Sequence, residues 1–312
     1  MSLPVKNVFF IVGPTAAGKS ELAAEIATRC NAEIASADAF QIYRGIDILT
    51  AKPDTATLAK ATHRLIGSVS ILDEMNAAKF SRMAEEVIGE IHSRGKLALV
   101  VGGSGLYIKA LTHGLSPAAG ANRALRAELQ RLSVSELAAK LTELEPERMR
   151  TIDRKNPRRL IRAIEICMEE RASSGPGVVA AVADRGPGST TPDTGVFVFR
   201  ERDELYERIA RHVEMMFEQG VVDEVRRLGE IGPTASQTLG LREIQQLIAG
   251  RISMPECVAA IQQASRRYAK RQLTWFRGQT NFEPLNLSHI GQTEAVEWIS
   301  QKAQRAYAQT DD

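Results

Sequence analysis

The sequence has few cysteines and a net charge close to zero, and each of these features excludes certain classes of protein. Its three cysteines, Cys30, Cys167 and Cys257, stand far apart and form no Cys-x-x-Cys pair. This spacing argues against a disulfide framework or a zinc site and favours a reducing compartment. The formal net charge is only +2, so any attraction to nucleic acid must depend on local clusters of charge.

Long apolar runs and metal-binding histidine patterns are also missing. No apolar stretch is long enough to cross a membrane, and the first four residues lead into a predicted strand without a signal-peptide pattern. We therefore expect a cytoplasmic protein that is a monomer and has no membrane partner. The histidines show no metal-ligand spacing and are expected to be structural or exposed. They are His63, His92, His113, His212 and His289.

Residues 13–20 read GPTAAGKS and fit the phosphate-binding template G-x-x-x-x-G-K-[ST] at every fixed position. An apolar run precedes them and a helical pattern follows. This order turns backbone N–H groups and a helix N-terminus toward one anion. Lys19 would add a positive charge, and Ser20 would supply a hydroxyl for a magnesium ion. The predicted polyphosphate site consists of Gly13, Pro14, Thr15, Ala16, Ala17, Gly18, Lys19 and Ser20.

Strand and helix patterns alternate through the first third of the chain, which is typical of a parallel α/β sheet. After about residue 118 strand patterns stop, and one returns at residues 196–199. We predict a P-loop-type parallel sheet core flanked by helices, formed by residues 1–118 and 196–312. An all-helical insertion would occupy residues 119–195, with a flexible loop at about 172–195.

Cap residues predict where several helices begin. Asn156, followed by Pro157, starts a helix in the insertion. Asp203 is expected to cap the helix after the returning strand, and Ser253 with Glu256 predicts a capping box for a long helix. The insertion helix is expected to bury Leu160, Ile164 and Met168.

A P-loop hydrolase usually has a second acid at the end of a neighbouring strand, and none is found here. The apolar strand predicted at residues 97–101 ends in Gly102, Gly103 and Ser104 instead. A simple tight turn is one interpretation. A site loop is favoured, because ligands bind at the carboxyl ends of parallel strands. Asp38 follows another predicted strand, so we expect it at the same edge of the sheet, although an aspartate there can be a turn former.

Two arginine-rich clusters offer the positive charge that the whole chain lacks. In the second cluster, helical spacing predicts one basic side and one apolar side. Such a side is usually just solvated, but arginine favours bidentate contacts with phosphate. The first cluster contains Arg148, Arg150, Arg154, Lys155, Arg158, Arg159 and Arg162. The second presents Arg266, Arg267, Lys270, Arg271 and Arg277, opposite Ile261, Tyr268, Gln272 and Trp275.

Six segments in this order resemble the bacterial tRNA dimethylallyltransferases. They read GPTAAGKS, SADAFQIYRGIDILTAKP, HRLI, VVGGSGLYIKALTHGLSP, NPRRLIRAIE and RRYAKRQLTWFRGQ, and they span residues 13–279. The resemblance implies transfer of a dimethylallyl group from dimethylallyl diphosphate, with Mg²⁺, to the exocyclic amine of the adenine just 3′ of the anticodon. The implied partners are that donor and the tRNA anticodon stem-loop.

The resemblance also implies roles for particular residues. Asp38 matches the general base, Lys19 acts on the diphosphate, and Ser104 contacts the target nucleotide. The residues implied to contact tRNA are Asp38, Ala39, Phe40, Gln41, Ser104, Arg126, Arg158, Arg159, Leu160, Ile161 and Arg162. Additional phosphate contacts would come from Arg266, Arg267, Lys270 and Arg271.

Three other functions fit part of the pattern. A small-molecule P-loop kinase explains the loop but not the RRYAKRQLTWFRG segment. A prenyltransferase acting on free adenine nucleotides has no need of an arginine-bearing insertion. An RNA-binding protein with a degraded active site conflicts with the intact phosphate loop and Asp38.

Overall fold

The computed structural model describes residues 8–114, 123–173 and 194–308. Residues 8–114 and 194–308 form one compact unit, and residues 123–173 form a second. Most of the predicted flexible loop, and the predicted boundary near residue 118, lie outside the described residues. None of the described helices has the length and apolar character needed to cross a membrane.

The larger unit is built on a parallel sheet, as the sequence predicted, and the sheet has six strands. These are β1 (Val8–Val12), β2 (Ala32–Ser36), β3 (His63–Arg64), β4 (Leu97–Gly102), β5 (Gly195–Phe199) and β6 (Glu283–Asn286). Their spatial order is β3-β2-β4-β1-β5-β6, so β1 lies between β4 and β5. The carboxyl ends of β1, β2 and β4 therefore meet at one edge. A parallel sheet flanked by helices, with a separate helical unit, confirms the predicted fold class.

Helices cover both faces of this sheet. They are α1 (Lys19–Arg29), α2 (Thr55–Lys60), α3 (Ala77–Ser93), α4 (Gly105–His113), α9 (Arg202–Glu218), α10 (Val221–Arg226), α11 (Leu241–Ile248), α12 (Met254–Gln279) and α13 (Gln292–Ala308). Phe9 and Ile11 of β1 face α1 and α13, whereas Phe10 faces the core shared by α3, α4 and α12. Burial on both faces explains why these strands are uninterrupted apolar runs.

The smaller unit contains four helices around a leucine-rich core. They are α5 (Arg123–Leu129), α6 (Val134–Leu144), α7 (Pro146–Thr151) and α8 (Pro157–Ser173). Asn156 caps α8 as predicted, since its Oδ1 accepts a hydrogen bond from the Arg159 N–H at 3.3 Å. The predicted burial of Met168 is wrong, because Met168 is 37% exposed while Cys167 is buried. The buried stripe of α8 runs through Leu160, Ile164 and Cys167, which leaves Met168 at its margin.

The capping box of α12 is confirmed, whereas the predicted cap of α9 is wrong. Ser253 accepts a hydrogen bond from the Glu256 N–H, and Glu256 accepts one in return. Helix α9 begins at Arg202 after Glu201, with no side-chain cap. Asp203 lies inside the first turn, where its charge still favours the positive end of the helix dipole.

Glu224 of α10 anchors a loop that borders the candidate site. Its carboxylate is buried, and its two oxygens accept hydrogen bonds from the N–H groups of Ile48 and Leu49, both at 2.8 Å. A bidentate contact of this kind fixes the backbone of residues 46–51 against the helical layer.

Replacing Glu224 with Gln should destabilise the fold. The amide keeps one acceptor and turns an NH₂ group toward a backbone N–H, so one buried donor loses its partner. We expect the free energy of unfolding to fall by about 1–3 kcal/mol in denaturant titrations. The control is Asp223→Asn on the same helix, whose exposed carboxylate pairs with Arg226 at the surface. Equal stability of the two variants would contradict the anchoring role.

Candidate active site

The phosphate loop follows β1 and ends at Gly18, which is the residue that precedes α1. Gly18 has φ +97°, a left-handed conformation that costs glycine far less than other residues. No side chain caps α1 within the described part of the chain. The first N–H groups of this helix are therefore left for an anion, at the positive end of its dipole.

Lys19 is held inside the loop by a backbone carbonyl group. Its Nζ donates a hydrogen bond to the Pro14 carbonyl oxygen at 2.7 Å. Burial lowers the pKa of Lys19 to about 8, although the nearby charge of Asp38 acts in the opposite direction. An anion beside the ammonium would restore the charged form. The side chain is thus suited to respond to a bound phosphate.

Arg200 and Arg208, which were not predicted as site residues, donate hydrogen bonds to carbonyl oxygens of the loop. Arg200 follows β5 and donates from Nε to the Ala17 carbonyl oxygen at 3.1 Å. Arg208 of α9 donates in the same way to the Ala16 carbonyl oxygen at 2.8 Å. The pKa of Arg208 is lowered by burial and then by the charge of Arg200. These guanidinium groups add positive potential next to the anion site.

The side-chain amide of Gln272 connects the phosphate loop to the loop after β4. Its Oε1 accepts a hydrogen bond from the Thr15 N–H, and its Nε2 donates one to the Gly103 carbonyl oxygen, both at 2.9 Å. The amide is buried, with 5% of the residue exposed. A β-carbon at position 103 would collide with this amide, which explains the glycine there.

Asp38 lies at the same sheet edge, as predicted. Its Oδ1 accepts hydrogen bonds from the N–H groups of Phe40 at 2.9 Å and Gln41 at 3.2 Å. These two bonds fix the carboxylate relative to the backbone of its own loop. Within the described residues Oδ2 has no hydrogen-bond partner, so it can accept a proton or a hydrogen bond from a ligand.

Ser104 holds the Asp38 loop in place. Its Oγ accepts a hydrogen bond from the Ala39 N–H at 2.9 Å. Burial and then the charge of Asp38 raise the pKa of Tyr268 on α12, so this phenol stays protonated, although the Ser104 hydroxyl acts in the opposite direction. Ser104 thus joins the end of β4 to the loop after β2, in addition to any contact with a ligand.

A cavity of about 260 Å³ separates the phosphate loop from Asp38. Its polar wall includes Lys19, Ser20, Asp38, Arg208 and Gln272. A smaller cavity of about 70 Å³ adjoins it and also touches Asp38. The apolar residues that line this second cavity are Phe40, Leu49, Ile209, Val213, Met216, Leu239 and Ile261. The pair of cavities fits a polyphosphate that carries a short apolar group.

The basic side predicted for α12 faces solvent. Arg267, Lys270, Arg271 and Arg277 are exposed, whereas Gln272 on the opposite side is buried. Arg266 departs from this pattern because it is half-buried and its guanidinium stacks on the Tyr206 ring at 5.4 Å.

The helical unit contains the other predicted tRNA contacts. Arg158 and Arg159 are exposed on α8. Arg126 and Arg162 both reach the Glu165 carboxylate, and the two nitrogens of Arg126 lie 2.6 Å from its oxygens. The side chains of Leu160 and Ile161 are buried in the core of this unit, so they support the exposed arginines and do not face solvent.

The described segments contain one group of side chains whose ligand atoms lie close enough together to hold a metal ion. It consists of Glu145, Cys167 and Glu170 in the helical unit. Arg148 contacts both carboxylates, at 3.1 and 3.7 Å, and supplies the positive charge itself. At the phosphate loop, Ser20 and Asp38 offer oxygen donors. That set suits a magnesium ion that is held mainly by phosphate oxygens and water.

Comparison with known proteins gives consistent results. A sequence model of the IPP transferase family matches residues 41–279. Two proteins named tRNA dimethylallyltransferase, from Akkermansia muciniphila and Acetivibrio thermocellus, are each 38% identical to this chain. The matches cover 86% and 93% of this chain and 89% and 95% of those proteins. The crystal structure of the full-length tRNA isopentenylpyrophosphate transferase of Bacillus halodurans has 31% identity and a TM-score of 0.69. That match covers 98% of this chain and 100% of the other.

The lowered pKa of Lys19 predicts that anion binding takes up protons. At pH 9 most of the ligand-free Lys19 is neutral, and a bound diphosphate should restore its charge. Calorimetry of inorganic diphosphate binding in buffers of different ionisation enthalpy gives the proton number. We expect wild type to take up more protons per site than Lys19→Met, by as much as one. Lys155→Met, on the helical unit, should match wild type; equal uptake in all three would contradict the assignment.

The two hydrogen bonds of the Gln272 amide predict how strongly the Thr15 backbone amide is protected from hydrogen exchange. Gln272→Leu should raise the hydrogen-exchange rate of the Thr15 amide by about tenfold or more, since a bond worth about 1.4 kcal/mol is lost. Gln272→Glu keeps the acceptor for Thr15 but loses the donor to Gly103, so protection of Thr15 should largely remain. The exposed Gln263→Leu on the same helix serves as the control. Unchanged protection of Thr15 in Gln272→Leu would show that the bridge does not hold the loop.

Proposed function

The chain belongs to the IPP transferase family, and from this we infer that it is a tRNA dimethylallyltransferase. The enzyme transfers a dimethylallyl group from dimethylallyl diphosphate to the exocyclic amine of the adenine 3′-adjacent to the anticodon, and diphosphate is released. The observation that carries the proposal is the meeting of three features at one sheet edge. These are the phosphate loop, the adjoining apolar cavity and the fixed carboxylate of Asp38.

The donor would bind with its two ends in the two cavities. The N-terminus of α1, Lys19 and Arg208 would hold the diphosphate. The five-carbon chain would enter the apolar cavity, which is of a size suited to a small aliphatic group. This orientation places the carbon–oxygen bond that breaks beside Asp38, because Asp38 borders both cavities.

Bond cleavage moves negative charge onto the departing diphosphate. The electron pair of the carbon–oxygen bond leaves with the oxygen, beside the first N–H groups of α1 and within reach of Lys19. Donors that are in position before the reaction stabilise such charge without reorganisation, and this term is often the largest in enzyme catalysis.

Asp38 would act on the acceptor adenine. The amine of adenine is a weak nucleophile, because its lone pair is delocalised into the ring. A carboxylate that accepts a hydrogen bond from the amine orients it. As the new nitrogen–carbon bond forms, the carboxylate also takes the amine proton. The Phe40 and Gln41 N–H groups fix Oδ1, so Oδ2 is the oxygen suited to this role. The adenine must turn out of its stacked loop to reach Asp38.

Magnesium fits the oxygen donors at the phosphate loop. Ser20 Oγ would hold the ion together with the donor's diphosphate, and the ion would neutralise charge on the leaving group. Asp38 borders the same cavity. Its Oδ1 already accepts hydrogen bonds from the N–H groups of Phe40 and Gln41.

We propose that the helical unit binds the anticodon arm. Arg158 and Arg159 are exposed there, and Arg126 and Arg162 converge on Glu165 beside them. The exposed basic side of α12 is a second phosphate-binding surface, formed by Arg267, Lys270 and Arg271 with the stacked Arg266. Such surfaces hold RNA through its backbone and leave the choice of base to the pocket.

A P-loop kinase is less well supported by the geometry. Strand β4, which neighbours β1, ends at Gly102 and is followed by Gly103 and Ser104 without an acid, and apolar side chains line much of the second cavity at the loop.

The proposed function is tested by incubating the protein with dimethylallyl diphosphate, magnesium and unmodified tRNA. Nucleoside mass spectrometry should detect dimethylallyl adenosine. Asp38→Asn keeps the acceptor for the Phe40 and Gln41 N–H groups but removes the base. Turnover should fall by about 10²–10⁴-fold, while diphosphate affinity stays near that of wild type.

Asp203→Asn, on the exposed first turn of α9, is the control and should retain turnover. Absence of prenylated nucleoside with wild type, or phosphate transfer from ATP without tRNA, would refute the proposed function. Wild-type turnover in Asp38→Asn would refute only the assignment of the base.

A further inference from the structure

His212 of α9 occupies an unusual place in the site. It borders both the polar cavity at the phosphate loop and the apolar cavity beside it. The residues common to the two cavities are Thr15, Ala16, Asp38, Thr50, Ala51 and His212. Among these six, Asp38 and His212 carry the side chains that titrate. The lack of metal-ligand spacing predicted that His212 is structural or exposed, and no sequence signal indicated its position at the junction.

The imidazole is enclosed but lacks a partner. Its Nε2 is shielded from solvent and makes no hydrogen bond within the described residues. Buried polar atoms are nearly always satisfied, and an unsatisfied one has a cost comparable to a lost hydrogen bond. The bare nitrogen therefore points to a partner that is bound only during function.

We propose that His212 is a ligand of the donor, whose ring N–H donates a hydrogen bond to the diphosphate beside the carbon–oxygen bond that breaks. This inference rests on the proposed function. It assigns to His212 the leaving-group side of the reaction, opposite Asp38 on the acceptor side.

Charge around the ring favours this role. Lys19 and Arg208 border the same polar cavity and attract an anion to it. Burial and then the charge of Arg208 lower the pKa of His212, so the imidazole is neutral at pH 7. A neutral imidazole has one N–H and one bare nitrogen, and either nitrogen can hold the proton. An anion selects the tautomer whose N–H faces it.

The step balances without a proton from His212. The carbon–oxygen bond breaks, and its electron pair stays on the diphosphate. The amine of adenine forms the new bond to carbon and gives its proton to Asp38. The N–H of His212 remains in place and donates more strongly as negative charge grows on the oxygen. Hydrogen bonds to charged groups are the stronger class.

The test compares two polar replacements of His212 with an apolar one. The substitution His212→Gln extends an amide to about the position of Nε2. His212→Asn reaches only the position of Nδ1, and His212→Leu removes both nitrogens. The dissociation constant of inorganic diphosphate is measured by calorimetry. The rate of a single turnover is measured at saturating dimethylallyl diphosphate.

We expect His212→Leu to weaken diphosphate binding by about tenfold or more and to slow the single turnover, since a bond to a charged group is lost. His212→Gln should stay close to wild type in both. His289→Leu changes an exposed histidine of the same unit and should have no effect.

Wild-type affinity and rate in a folded His212→Leu protein would overturn the proposal. If that variant does not fold, equal affinities of the Gln and Asn variants would overturn it, whereas weaker binding by the Asn variant alone would support it. Loss of diphosphate affinity in His212→Leu supports the site even if wild type modifies no tRNA. Wild-type modification of tRNA with unchanged affinity in the variant overturns the role of His212 alone.

Discussion

The two hydrogen bonds of the Gln272 amide hold together the loops on which the whole site depends. One loop follows β1 and carries the phosphate-binding motif, and the other follows β4 and leads to Ser104. Ser104 in turn holds the Ala39 N–H, next to the catalytic candidate Asp38. A shift of α12 would therefore move the donor side and the acceptor side together. Reactions that join two substrates need this kind of fixed geometry, because small misplacements cost much of the rate.

Positive charge dominates one side of the site, and burying this charge costs free energy. Lys19, Arg200 and Arg208 converge on a short loop, with Glu204 as the partner of Arg200 at 2.6 Å. Burial disfavours the charged form of Lys19 when no anion is present. In the proposed reaction a diphosphate would relieve that cost on binding, and the same positive charge would stabilise the additional negative charge of the leaving group. The arrangement would then favour binding and also stabilise the transition state.

The sequence predicted those parts of the structure whose signals are local. Residues 8–12 and 97–101 are apolar runs, and the glycine and lysine spacing of the phosphate loop lies within eight residues. The carboxyl-end rule for parallel strands then placed Asp38 correctly at the same edge. Short edge strands gave no such signal: β3 has two residues, and β6 contains a proline and a glutamate. Helix α4 was not predicted, because it has only nine residues and a short apolar run does not distinguish a helix from a strand.

Side chains whose meaning depends on distant partners could not be predicted. Gln272 appeared as one residue on the apolar side of a helix, and only the fold shows that its amide reaches Thr15. His212 carried no spacing pattern, since the cavities that it separates are formed by residues from distant segments of the chain. The margin of a buried stripe is equally hard to place. Met168 and Cys167 are neighbours in sequence, and packing within the helical unit decided which of them is covered.

The separation of Thr15 and Gln272 also affects how the protein is made. The phosphate-binding motif leaves the ribosome long before its brace, which lies 257 residues later in the chain. Arg200 and Arg208 come nearly as late, and so does β5, the second neighbour of β1. A nascent chain therefore displays the complete motif through much of its synthesis while the groups that shape the loop are still untranslated. The hydrogen bond from the Thr15 N–H to Gln272 can therefore form only once α12 has emerged.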